Sequence, residues 1–153
     1  MLTKNGKMCC HLNTVEERSQ GNGYYIEWVS SDGSNIRTTG VRGVLSSLVL
    51  SVGTGSDAPT SSDINITNKD AGLTVVNRST TTGTTNPEYS QDYIGIFTVT
   101  YRNDTNSDVT VSESGLFGTL SGSGNGMALI ARDVFDPVTI APGESYTFSM
   151  YIG

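Results

Sequence analysis

S-E-S-G-L-F-G, from Ser112 to Gly118, and M-A-L-I-A-R-D-V-F-D-P-V-T-I-A-P-G-E-S-Y-T-F-S-M-Y-I, from Met127 to Ile152, decide the fold class. Gly-Ser, Asp-Pro and Ala-Pro-Gly cut this region into apolar segments, and the last segment alternates strictly. Tyr146, Phe148, Met150 and Ile152 fall on one side, and Ser145, Thr147 and Ser149 on the other. A period of two is the side-chain period of a strand with one buried and one solvated face. The final segment is therefore expected to be a core strand, which leaves little room for a catalytic tail after it.

Working outward, the same grammar recurs. Tyr93 to Tyr101 places Tyr93, Gly95, Phe97, Val99 and Tyr101 on one face. Asn103-Asp104-Thr105-Asn106 then supplies a turn, and Val109 to Ser112 returns as the second arm of a hairpin. Upstream, Tyr24 to Val29, Val44 to Val52, Ile64 to Ile66 and Leu73 to Asn77 read as strands. Ser31-Asp32-Gly33-Ser34 is a turn, Gly53-Thr54-Gly55 a turn or bulge, and residues 79–92 a long Thr-rich loop. Ser and Thr make up about a quarter of the chain, a bias that suits pleated surfaces and turns over helices. The expectation is an all-β, single-domain, two-sheet sandwich, jelly-roll-like, over residues 24–153, preceded by an N-terminal arm over residues 1–23.

Charge and length bound the function. The 153 residues make one domain by size, with a net charge of −6 and a pI near 4.5. An acidic surface repels phosphate backbones, and Arg18, Arg37, Arg42, Arg78, Arg102 and Arg132 are scattered singly, so no nucleic-acid partner is expected. No apolar run approaches the ~20 residues that span a bilayer, so no membrane partner is expected either. The first ten residues carry lysines and no hydrophobic stretch, unlike a secretory signal.

Each chemical constellation has a plainer explanation. His11 is the single histidine, and its neighbour Cys10 lies in a segment without a rigid scaffold, short of what a nucleophile–base pair needs. Cys9 and Cys10 are adjacent, so they cannot staple the fold, and with His11 they lack the ligand number and spacing of a zinc site. Asp133, Asp136, Glu113 and Glu144 are the acids from which a glycosidase pair would be drawn. Glu113 is read as following a strand and Glu144 as part of a turn, with the aspartates at a strand end. Asp104, Asn106 and Asp108 alternate as in a calcium loop, but the Gly and Glu that complete that motif are missing. Gly53-Thr54-Gly55 lacks the Lys-Ser/Thr and the helix of a phosphate loop. The expectation is a protein with no catalytic residue, no cofactor and no metal.

Two stretches carry a resemblance. "G-L-F, Gly-rich loop, L-I-A-R-D-V-F, P-V-T-I-A-P-G-E-S-Y-T-F" resembles the C-terminal signature of small tailed-bacteriophage virion structural proteins. L-V-L-S-V-G-T-G-S-D-A-P-T-S-S-D, Leu48 to Asp63, is similar to a stretch that such proteins carry upstream. The two stretches cover roughly a third of the chain and hold no catalytic motif. The resemblance implies a non-enzymatic virion protein assembled in the host cytoplasm, an auxiliary or decoration protein on the capsid. The second reading is a tail or fibre-base adaptor, or a carbohydrate-binding module, with Trp28, Tyr24, Tyr25, Tyr89 and Tyr93 as its aromatic platform. Trp28 is also the natural core residue of its strand. The implied partners are other virion proteins, capsid or tail and fibre subunits, in a homo-oligomer or a lattice.

The arm supplies the candidate docking side chains, Leu2, Met8, Cys9, Cys10 and Leu12. Burying a Leu or Met stabilises by roughly 1.5–3 kcal/mol, and ordering each backbone residue costs about 1–2 kcal/mol. Five such anchors over twenty residues do not order alone, so a neighbouring subunit is expected to share their burial.

Overall fold

A computed structural model describes residues 1, 26–38, 48–81, 95–121 and 125–152, and among these there is no helix. Eight strands follow in order: β1 (Ile26–Val29), β2 (Asn35–Thr38), β3 (Val49–Gly53), β4 (Thr74–Thr81), β5 (Gly95–Arg102), β6 (Val109–Ser121), β7 (Asn125–Ile140) and β8 (Ser145–Ile152). They pair antiparallel into a hairpin β1-β2 and two three-stranded sheets, β3-β6-β7 and β4-β5-β8. The two sheets pack face to face, which makes the chain the expected all-β sandwich.

The alternating strands build the core between the sheets. β5 offers Phe97, Val99 and Tyr101, and β8 offers Phe148 and Met150. They meet Leu50 and Val52 of β3, Val111 and Leu116 of β6, and Ala131 and Ile140 of β7. Removing each such side chain from water stabilises by roughly 1.5–3 kcal/mol. Phe148 is also flanked by aromatic rings, with Tyr146 at 4.8 Å and Phe135 at 5.7 Å between centroids. Of the four residues on the apolar side of β8, Phe148 and Met150 are buried, Ile152 is partly covered and Tyr146 is 45% exposed.

The second face of β3-β6-β7 is covered as well. Ile66, Phe117 and Leu129 pack together there, and the β1-β2 hairpin lies against the start of β7, where Ser31 N donates to Met127 O at 2.7 Å. Gly126 marks that approach, because a Cβ on it would stand 2.7 Å from Ser30 Oγ and 2.8 Å from the Ile36 methyl. Burial of both faces explains why β6 does not alternate: every residue from Val111 to Gly118 is buried. Trp28 in β1 is 0% exposed, so it is a core residue and offers no platform to a sugar.

Several elements depart from the sequence reading. The returning arm at Val109 does not stop at Ser112 but runs to Ser121. Met127 to Phe135 was expected to end at Asp136-Pro137; β7 instead continues to Ile140. It absorbs the proline in an irregularity, with one β6 residue between Val111 and Glu113 facing three on β7 between Val138 and Val134. Pro donates no ladder hydrogen bond, and a bulge on an edge strand is where it fits. Ile64 to Ile66 is not a strand, because the chain there turns through Thr67–Gly72, with Asn68, Asp70 and Ala71 at positive φ. Residues 79–81, read as loop, extend β4, while 82–94 lie outside the described residues. So does all of the arm except Met1, including the helical turn expected at Thr14 to Glu17 and the side chains Leu2, Met8, Cys9, Cys10, His11 and Leu12.

Candidate functional site

Glu113, expected just past a strand, lies inside β6, with its side chain on the face turned away from the main core. There it is fully buried. Pairing fixes its neighbours: Gly53 of β3 lies opposite it, and Gly115, two residues on, lies opposite Arg132 of β7. These positions share one face of the sheet, so the glutamate and the arginine meet diagonally across a patch that the glycines leave open. A Cβ on Gly53 would stand 2.8 Å from Glu113 Oε1, and one on Gly55 would run into the same carboxylate.

Both oxygens of Glu113 are occupied. Oε1 accepts the N–H of Gly55 and the N–H of Thr67, each at 2.6 Å, and Oε2 accepts Arg132 Nε at 2.7 Å. Arg132 Nη1 donates to Asp63 Oδ2 at 2.8 Å, and Asp63 in turn accepts the amide and the hydroxyl of Thr60 at 2.8 and 2.6 Å. Ser112 Oγ adds a bond to Gly55 O at 2.9 Å. The Arg132 backbone exchanges hydrogen bonds with Met1, at 2.6 and 3.0 Å, so Met1 lies on the free edge of β7. The network thus ties β6 and β7 to both ends of the segment between Thr54 and Thr67.

The electrostatics follow from this packing. Burial by itself lowers the Arg132 guanidinium, but the hydrogen bonds and charges of Asp63 and Glu113 outweigh it and hold the group above its ordinary value. Burial likewise pushes the Asp63 carboxyl up. The Thr60 hydroxyl and amide, followed by Arg132, more than offset that, and the net direction is down. A buried pair contributes little net stability against an apolar replacement, but loss of one partner strands a buried charge. This network therefore specifies a loop path more than it adds stability.

A second polar cluster closes the turn between β5 and β6. Asn103 is fully buried, and its Nδ2 donates to Ser107 O and Ile140 O, both at 2.8 Å. Its Oδ1 accepts the amide and hydroxyl of Thr105 at 2.9 and 2.7 Å. The backbone of Asn103 also joins Glu144 and Gly143 in the turn before β8. The alternating acids beside it are not gathered: Asp104 is bonded to Arg102 at 2.6 and 3.2 Å, and Asn106 and Asp108 are exposed.

These arrangements do not set up acid–base chemistry. Glu113 has no lone pair turned to solvent, and Asp63, the carboxylate nearest it in the network, lies across the guanidinium. Asp133 and Asp136 are exposed on β7, and Glu144 sits in its turn, with Oε2 accepting Ala141 N at 3.4 Å. The acids considered for a glycosidase pair are thus not brought together. Among the described residues, no group of three His, Cys, Asp or Glu is placed to hold a metal ion, and no helix is long and apolar enough to cross a membrane. Gly53-Thr54-Gly55 does receive an anion on a backbone amide, and that anion is Glu113 of the same chain. The sequence held a signal for the pair: a lone Arg inside L-I-A-R-D-V-F and a lone Glu inside S-E-S-G-L-F, both in apolar settings that require a partner.

In comparisons with known proteins, no family model matches the chain, no curated protein matches it, and no solved structure matches it.

Proposed function

We propose that the protein is a non-enzymatic structural protein of a tailed-bacteriophage particle, an auxiliary or decoration subunit held on the capsid by protein–protein contacts. The observation that supports this reading most is where the two stretches of resemblance go. Leu48 to Asp63 contributes Gly53, Gly55 and Asp63, and the L-I-A-R-D-V-F stretch contributes Arg132; Glu113, two residues before G-L-F, joins them. All converge on one buried network. The residues that give the sequence its virion-like look therefore serve architecture, and their polar groups are spent inside the fold.

In this reading Leu2, Met8, Cys9, Cys10 and Leu12 of the arm dock on the neighbouring virion protein, and the sandwich projects outward. Mass spectrometry of purified particles, separated into heads and tails, tests it. The protein is expected in the head fraction at a fixed ratio to the shell subunit. Recovery with tails moves it to the adaptor reading, and particles without it that keep full stability and composition overturn the structural role.

A further inference from the structure

Among the described residues the two three-stranded sheets have four outer edges, and three of them are guarded. The free edge of β3 is covered by the turn after it, with Thr54 N donating to Thr67 O at 2.9 Å and Asp70 N to Val52 O at 2.7 Å. β4 carries a bulge at Val76 and the charge of Arg78. β7 carries its own bulge, Pro137, and the backbone of Met1 at Arg132. Bulges, charges and prolines are the usual means by which edge strands avoid pairing with other chains.

β8 has none of these. Its sequence, S-Y-T-F-S-M-Y-I, has no charge, no proline and no glycine, and it pairs with β5 over all eight residues without a register shift. Among the described residues nothing pairs with its second edge. Tyr146 is 45% exposed and Tyr151 65% exposed on its two faces. A flat, uncharged strand of high β-propensity with open backbone groups is a template for another strand.

We infer that β8 pairs antiparallel with β8 of a second copy, across a two-fold axis through Ser149. Residues directly opposite in an antiparallel pair share a face, so only registers that match parity continue both sheets. Centred on Ser149, Phe148 meets the second copy's Met150, Tyr146 meets Ile152, and Thr147 meets Tyr151. The apolar row and the hydroxyl row both run on, and the exposed Tyr146 gains a cover. Glu144 falls outside the paired span. For a chain of net charge −6, this edge lets two copies meet without opposing like charges.

The contact is narrow. The seven paired residues, Tyr146 to Ile152, extend about 24 Å at ~3.4 Å each, so the buried area falls in the weak class of interfaces, below ~1,200 Å² in total. Pairing is therefore concentration-dependent in free solution and strongest where copies are held side by side. It does not depend on the virion reading.

Sedimentation of the full-length chain tests it, comparing wild type with Ser149→Lys, Ser149→Glu and their equimolar mixture. Ser149 is exposed, so both variants are expected to keep the wild-type thermal midpoint. Wild type is expected to dimerise reversibly. Like charges meeting at the axis are expected to weaken each single variant about fivefold or more, on the scale of ~1 kcal/mol for a cross-strand pair. The mixture is expected to recover wild-type strength. A chain that stays monomeric at millimolar concentration overturns the proposal, and so does association that neither charge alters. A protein absent from particles that still dimerises in this way would sink the virion reading and leave this one standing.

Discussion

The carboxylate of Glu113 accepts the backbone N–H of Gly55 at 2.6 Å across a separation of 58 residues. The same oxygen holds Thr67, so one side chain from the middle strand of a sheet sets where the segment between them enters and leaves. Arg132 and Asp63 extend that hold to the middle of the segment.

Replacing Glu113 by Ala is expected to leave the buried Arg132 guanidinium with Asp63 alone and two part-buried amides without their acceptor, and to cost roughly 3 kcal/mol. Glu113→Gln keeps one carbonyl oxygen for the amides but turns an NH2 toward Arg132, for a smaller loss of about 1–3 kcal/mol. Urea unfolding of the two variants separates them. Equal losses would mean that the charge carries the whole effect and the shape none.

Gly55→Ala drives a methyl group into the Glu113 carboxylate, which is held from several sides and has nowhere to retreat. The expected loss is about 1–3 kcal/mol, the scale of overpacking. A double-mutant cycle with Glu113→Ala identifies the cause: the alanine at position 55 should cost much less once the carboxylate is gone. An unchanged cost would place the strain in the backbone of Gly55.

The fold was legible where one face of a strand meets solvent. β5 and β8 alternate, and the sequence delivers them almost residue for residue. β6 runs past Ser112 without a visible period of two because both of its faces are covered from Val111 to Gly118. Asp136-Pro137 looked like a stop and is a bulge within β7. The network was half legible: Gly53, Gly55 and Asp63 lie together between Leu48 and Asp63, but nothing local ties them to a glutamate in another strand. That link exists only through the register of β3, β6 and β7. Asn103 was hidden in the same way, read as one polar turn residue among four.

Asn103→Ala is accordingly expected to be the costly change in its turn. It removes four side-chain hydrogen bonds, among them the buried one to Ile140 O. With each bond worth about 1 kcal/mol and the exposed penalties added, the loss is roughly 2–4 kcal/mol. Asp104→Ala breaks only exposed contacts, with Arg102 and Thr74, and should leave the unfolding midpoint where it is. Calcium should leave both midpoints unmoved. A calcium-dependent rise in wild type that Asp104→Ala abolishes would restore the ion-binding reading of this turn.

The network should also set the acid limit of stability. Asp63 titrates at 3.8 in the absence of the fold and below that in the folded chain, held down by Thr60 and Arg132 against the upward push of burial. Between the two values the unfolded chain binds the extra proton, so stability rises with pH across that interval. The contribution of Asp63 is therefore complete above pH 3.8 and is lost as the pH falls through the folded value. Asp63→Asn removes the titration and keeps an oxygen for Thr60. The variant is expected to be less stable than wild type at neutral pH, and the gap should close as the pH drops below 3.8. Unfolding midpoints for both proteins across that range measure the gap, and one that persists unchanged at the acid end would show that the Arg132–Asp63 contact carries no net charge energy.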